Sequence, residues 1–95
     1  MTEERFEWDG EKALANLRNH GVAFENSVAV FRDAFAVEWS DEREHYGEER
    51  MNMLGMCGGV ILHVTYTERD DRIRIISARQ AEKHEQDHYY RENSF

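Results

Sequence analysis

The chain is predicted to be α+β: two helices near the N-terminus, four consecutive strands through the middle and a helix at the C-terminal end. Three observations predict this. Apolar residues recur at helical spacing as far as Phe31, the spacing changes to two from Phe35, and small or acidic turn residues divide the alternating stretch into hairpins. The 95 residues amount to one domain, residues 1–95, with room for one modest core.

Taken in order, Arg5–Trp8 is short and aromatic and suits an edge strand. Asp9 suits an N-cap and Glu11–His20 a helix, with Ala13, Leu14 and Leu17 as its apolar stripe and Gly21 as the left-handed residue that stops it. Phe24, Val28 and Phe31 fall at i, i+4 and i+7, which predicts a second helix over Phe24–Phe31. Phe35, Val37 and Trp39 then alternate with Ala36, Glu38 and Ser40 as a strand, and Asp41–Gly47 is an acidic loop. Arg50–Gly55, Val60–Thr67 and Arg72–Ala78 are the remaining strands, separated by turn chemistry at Gly58-Gly59 and at Arg69-Asp70-Asp71. Ser77 with Gln80 fits a capping box for a last helix running from Arg79 to about Arg91. Consecutive strands on short loops pair antiparallel, so helices cover one face of the sheet and leave the other at least partly open.

Charge narrows the function. Twelve basic and twenty acidic side chains give a net charge of −8. The stretch up to Arg50 holds 6 basic and 13 acidic groups, and the rest holds 6 and 7. Such a surface repels a nucleic-acid backbone at long range and favours a basic protein partner. Any phosphate site must then be a local pocket of arginines. The single cysteine, Cys57, cannot form a disulfide within the chain, which suits a reducing compartment. The acidic N-terminus has no apolar stretch of the secretory kind and no run approaches membrane-spanning length, so a cytoplasmic protein without a membrane partner is expected.

Hairpin register predicts what the open face carries. A four-residue loop at Glu68–Asp71 pairs Thr65 with Arg74, and one at Met56–Gly59 pairs Arg50 with Thr65 and Asn52 with His63. By alternation Met51, Met53, Leu62, Val64, Tyr66, Ile73 and Ile75 go to the core, and Arg50, Asn52, His63, Thr65, Thr67, Arg72 and Arg74 to the opposite face. The row Arg50–Thr65–Arg74 would set two guanidinium groups around a hydroxyl, a grip suited to a phosphate. The same residues also suit a plain solvated strand surface, neutralised by the acidic stretch Glu42–Glu49. Lys12, Asn16 and His20 share one face of the first helix, as a solvated stripe or as a site for general acid work. His84-Glu85-Gln86-Asp87-His88 matches the H-E-x-x-H pattern of zinc hydrolases. Only seven residues follow it, which leaves little room for a third ligand beyond Glu92, so no metal is assigned. Cys57 reads as an inert turn thiol, and Asp70-Asp71 as a turn.

The segments FEWDGEKALANLRNHGVAFENSVAVFRD, GEERMNMLG and VTYTERDDRIRIISARQAEKHE, in that order, resemble the BrnT family of toxins from bacterial type II toxin–antitoxin pairs. The resemblance runs from about Phe6 to Tyr90. It is carried at Lys12, Asn16, His20, Gly21, Phe24, Glu49, Arg50, Gly55, Arg74, Ser77, Ala78 and Arg79. It implies a RelE-like fold and a metal-independent, cofactor-free endoribonuclease that inhibits translation and growth. It also implies neutralisation by a ribbon-helix-helix antitoxin, in a higher-order complex that meets operator DNA only through the antitoxin. Metal-free cleavage needs a base for the 2′-hydroxyl, an acid for the 5′-oxygen and cations for the phosphorane charge. Arg50, Arg74 and Arg79 are expected to take the phosphate, with His20 or Glu49 as the base and the other stabilising or orienting; by alternation Glu49 points away from Arg50 unless the strand end twists or bulges. Lys12, Asn16, Thr65 and Arg72 are expected to contact RNA, and the family usually has no histidine where His63 stands. Two departures stand out: Asn19 occupies a position where the family usually has a lysine, and the last helix, AEKHEQDHYY, lacks the family's arginines. Both remove RNA-attracting charge, which leaves a second possibility, a catalytically weakened homologue that binds antitoxin and acts as a co-repressor.

Overall fold

The computed structural model describes residues 2–3, 5–42 and 47–94. The elements are β1 (Thr2–Glu3), β2 (Phe6–Glu7), α1 (Gly10–His20), α2 (Phe24–Ser27), a 3-10 helix (Val28–Arg32), β3 (Val37–Asp41), β4 (Arg50–Cys57), β5 (Val60–Arg69), β6 (Arg72–Gln80) and α3 (Lys83–Glu92). The strands form one sheet in the order β1-β2-β6-β5-β4-β3. The four long strands pair antiparallel, as the short loops require. The short strand β2, expected at the edge, lies between β1 and β6 and joins the long strands parallel to β6, which makes the sheet mixed. Residues 43–46, most of the expected acidic loop, lie outside the described residues.

One face packs under α1, α2 and the 3-10 helix. Met53, Leu62, Val64, Tyr66, Ile75 and Ala78 meet Trp8, Phe24, Val28 and Val30 there, and Met51 and Ile73 pack at the margin. The inward set expected from alternation is therefore the set found. Edge-to-face rings link β2 to β5 across this layer, Phe6 to Phe31 at 5.1 Å and Phe31 to Tyr66 at 4.9 Å. Gly55 of β4 lets the 3-10 helix close on the sheet: a Cβ there would lie 2.5 Å from Val30 Cγ1 and 3.0 Å from the Val30 carbonyl oxygen.

Helix α1 faces the sheet differently from its expected stripe. Asp9 caps it, accepting from the Glu11 and Lys12 N–H groups, and Gly21 ends it at φ 70°. Leu14 and Leu17 are 66% and 47% exposed, however, and the buried residue is Asn16. Its Nδ2 donates to the Val22 and Ala78 carbonyls at 2.9 and 2.7 Å, and its Oδ1 accepts from the Ala78 N–H at 3.1 Å. Strand β2 ends opposite Arg74, so beyond it this carboxamide serves the β6 backbone as a neighbouring peptide unit would. An apolar stripe offers no such partner, which explains the rotation of the helix. The second expected helix starts at Phe24 as predicted and tightens to 3-10 geometry from Val28.

Both central hairpins are tighter than expected. Gly58-Gly59 and Asp70-Asp71 all have positive φ, between 52° and 84°, so each pair forms a two-residue primed turn instead of a four-residue loop. The pairing moves by two residues: Thr65 faces Asn52, and Thr67 faces Arg74. An even shift keeps every side chain on its face. Between Thr65/Ser77 and Tyr66/Ile75 the register breaks, and Ile76 is the extra residue of a β-bulge. Strand β6 also runs on to Gln80, so Arg79 lies in a strand, and α3 begins at Lys83 with Glu82 and Glu85 forming its capping box in place of Ser77 and Gln80.

Candidate functional site

The groove-bearing face opposite α1 is organised in rows. One row pairs Asp41 with Arg50 and Thr67 with Arg74; continuing the Met51–Tyr66 pairing by one position sets Arg50 across from Thr67. Arg50 and Arg74 therefore flank a hydroxyl as expected, but that of Thr67 instead of Thr65. The Thr67 hydroxyl donates to the Glu49 carbonyl at 2.6 Å, tying the start of β4 to β5. Arg74 Nη1 donates to Glu7 Oε2 at 2.8 Å, because the parallel pairing of β2 with β6 sets the two residues side by side. Thr65 is buried, and its hydroxyl donates to Asn52 Oδ1 at 2.8 Å. Asn16 is likewise taken by α1–β6 packing. Lys12 is exposed on α1, and Arg72 lies at the start of β6 opposite Arg69, which pairs with Glu48 at 2.7 Å.

The bulge at Ile76 decides where Arg79 goes. Uninterrupted alternation from outward Arg74 would turn Arg79 inward. The extra residue inverts the parity, so Ala78 is buried under the helices and Arg79 pairs with His63 on the groove face. Arg74 and Arg79 pair with Thr67 and His63, four positions apart on β5, a span of about 13 Å.

Helix α3 packs over the Arg79 end of this face on a second small core of Leu54, Ile61, Ala81 and Tyr89. The Tyr89 hydroxyl donates to Asp33 Oδ2 at 2.7 Å, and the same carboxylate accepts the Met56 N–H at 2.8 Å and the Phe35 N–H at 2.9 Å. Burial and this hydrogen bond push the Tyr89 phenol up to about 12. Between α3 and the strands runs a groove of about 330 Å³, lined by Trp39, Asp41, Asn52, His63, Arg79, His84 and Glu85, among others.

Glu85 is the centre of that groove. Its Oε1 accepts from Arg79 Nη1 at 2.8 Å and from the Glu82 N–H at 2.8 Å; its Oε2 accepts from Arg79 Nη2 at 2.9 Å. His63 Nδ1 lies 3.9 Å from Oε2. Burial pushes the Glu85 carboxyl up, but the Arg79 and Glu82 hydrogen bonds and the His63 charge outweigh it and hold the group at about 2. The His63 ring stacks on Trp39 at 5.8 Å, and His88 tilts against the same indole at 5.6 Å.

Sequence reasoning missed Glu85 and Asp33 as organisers. The Glu82-x-x-Glu85 spacing was a usable capping signal for the first; for Asp33 the Phe35 N–H two residues on is a local turn contact, whereas the Met56 and Tyr89 donors come from distant elements and leave no local signature.

His20 does not join the arginines. It lines a separate cavity of about 250 Å³ with Gly21, Val22, Cys57, Val60 and Leu62. Glu49 is exposed, next to Arg50. Among the described residues, Glu82, His84 and Glu85 could hold a metal ion, with ligand atoms within 4.8 Å of one another, though both Glu85 oxygens already accept from Arg79.

A family model described as "Ribonuclease toxin, BrnT, of type II toxin-antitoxin system" matches residues 8–85. The chain belongs to the BrnT family. Its α+β architecture is the one expected of a RelE-like toxin, and the match spans α1, the whole run β3–β6 and the first turn of α3. Arg50, Arg74, Arg79 and Glu85 all fall inside the matched region. No curated protein sequence matches this BrnT-family chain. Among the described residues no helix is long and apolar enough to cross a membrane.

Proposed function

We propose that this BrnT-family chain is a cytoplasmic, metal-independent endoribonuclease that inhibits translation and growth and is neutralised by a ribbon-helix-helix antitoxin. The observation that carries the reading is the row in which Arg50 and Arg74 flank Thr67 on one face of the sheet, in a chain matched by a ribonuclease toxin family. In the proposed reaction the 2′-hydroxyl oxygen bonds to phosphorus as the bond to the 5′-oxygen breaks. One proton leaves the 2′-oxygen for a base and another reaches the 5′-oxygen from an acid. The guanidinium groups of Arg50 and Arg74 stabilise the extra negative charge of the phosphorane, and Arg79 holds a phosphate further along the strand. Of the two candidate bases, His20 belongs to the other cavity, so Glu49 is assigned the 2′-proton, which requires the chain just ahead of β4 to turn its side chain toward the Arg50 face. Lys12 and Arg72 contribute charge for RNA; Asn16 and Thr65 act through the fold. The antitoxin would bring operator DNA into a higher-order complex.

Inducible expression tests the reading. Growth arrest and chelator-insensitive RNA cleavage are expected from the wild-type chain and are expected to vanish in Arg74→Ala; wild-type toxicity in that variant would falsify the site. A second reading, a weakened toxin that binds antitoxin as a co-repressor, is favoured by one observation. Asp41, Glu42, Glu82 and Glu85 line the groove beside Arg79, and Arg74 is already paired with Glu7. Normal growth together with a stable antitoxin complex would select it.

A further inference from the structure

We propose that Glu85 is an internal occupant of the Arg79 phosphate subsite, so that α3 is a strap that RNA must displace. The inference rests on the reading of Arg79 as a phosphate-binding residue. A carboxylate that takes one hydrogen bond on each Nη, at 2.8 and 2.9 Å, uses the two-donor edge that an arginine offers a phosphate oxyanion. The two partners sit on elements of unequal hold. Arg79 lies within β6, whose ladder pairs it with His63. Glu85 lies in the first turn of α3, where Glu82, Lys83 and His84 are all exposed. That turn lies between two anchors: Ala81 before it, in the small core with its N–H donating to the Ile61 carbonyl at 2.9 Å, and Tyr89 beyond it, in the same core and on Asp33. Lifting residues 82–85 between those anchors breaks the Arg79 pair while Ala81 and Tyr89 stay in the small core. The groove of about 330 Å³ opens beside the pair, which gives an incoming anion a path to the guanidinium. Exchanging carboxylate for phosphate keeps a negative group on Arg79 and returns the Glu85 carboxylate to water.

Binding of an uncleavable 2′-O-methyl RNA oligonucleotide to the purified chain, followed by fluorescence anisotropy, tests this. Glu85→Gln retains an oxygen to accept the Glu82 N–H and so keeps the helix cap. Glu85→Asp keeps the charge and shortens the reach. Both are expected to bind the oligonucleotide more tightly than wild type, Glu85→Gln by about tenfold. Glu92→Gln, the same charge change at an exposed position of α3, is expected to alter binding less than about twofold. Arg79→Ala in the Glu85→Gln background is expected to abolish the gain. Unchanged or weaker binding in both Glu85 variants overturns the strap and makes Glu85 a residue that holds Arg79 in position. An equal gain in Glu92→Gln, or a gain that survives Arg79→Ala, overturns it as well. Failure of the underlying function appears separately, as normal growth of cells expressing the wild-type chain.

Discussion

The two faces of the central sheet are held by different physics. The helix-covered face is closed by shape: Gly55 admits Val30, aromatic edges interlock from Phe6 through Phe31 to Tyr66, and the carboxamide of Asn16 completes the β6 edge. The groove face has only the small core under α3 and is otherwise closed by charge: Arg74 on Glu7, Arg79 on Glu85, and a phenol on Asp33. Shape tolerates changes of pH and salt and punishes changes of volume. Charge does the reverse, and it also leaves groups that can exchange partners with a ligand.

Four measurements test that contrast. The largest effect on stability is expected from Asn16→Ala on the covered face. It deprives the Ala78 N–H and C=O and the Val22 C=O of their buried partner, a loss of about 3 kcal/mol readable from urea unfolding. A stability within experimental error of wild type would show that water replaces the amide there. Acid probes the groove face next. The Glu85 carboxyl is held at about 2 against an ordinary 4.5, so its contribution is complete above about pH 4.5 and fades as pH falls toward 2. The loss should reach roughly 2–3 kcal/mol. Glu85→Gln should flatten the stability profile across that window, and a profile as steep as wild type would remove Glu85 as its source. Gly55→Ala returns to the covered face. Its methyl group meets a branched side chain and a carbonyl oxygen, so a loss of about 2 kcal/mol is expected, with no change in pH dependence. The smallest effect belongs to Arg74→Ala, whose pair with Glu7 is partly solvated, and it should cost less than about 1 kcal/mol. A cooperative transition near the wild-type midpoint, together with loss of toxicity, would separate chemistry from folding on this face.

The parts legible in sequence were those with a short-range cause. Strand alternation sorted Met53, Val64, Tyr66 and Ile75 inward correctly even though both turns were read two residues too long, because a shift of two leaves parity intact. The cap at Asp9 and the stop at Gly21 follow from local hydrogen bonding and backbone freedom. The face of α1 was misread for the opposite reason. Its orientation is set by Ala78, which lies 62 residues further on and is invisible to a helical periodicity. The candidate site divides in the same way. Parity alone brings Arg50 and Arg74 to one surface, whereas the partners of Thr65 and Asn16, on Asn52 and Ala78, depend on how distant segments pack.

Residue pattern alone was enough for the order of the main elements and for placing Arg50 and Arg74 on one face, since alternation and turn chemistry act over a few positions, and three separated motifs carried the family; which threonine lies between the arginines, Thr67 instead of Thr65, waited on the turn geometry. Tertiary structure alone decided the outward turn of Arg79, through one extra residue at Ile76, and its capture by Glu85 from another element. A bulge inverts every side chain beyond it, and an ion pair between a strand and a helix depends on how the two pack. Neither is written in the spacing of the residues it controls.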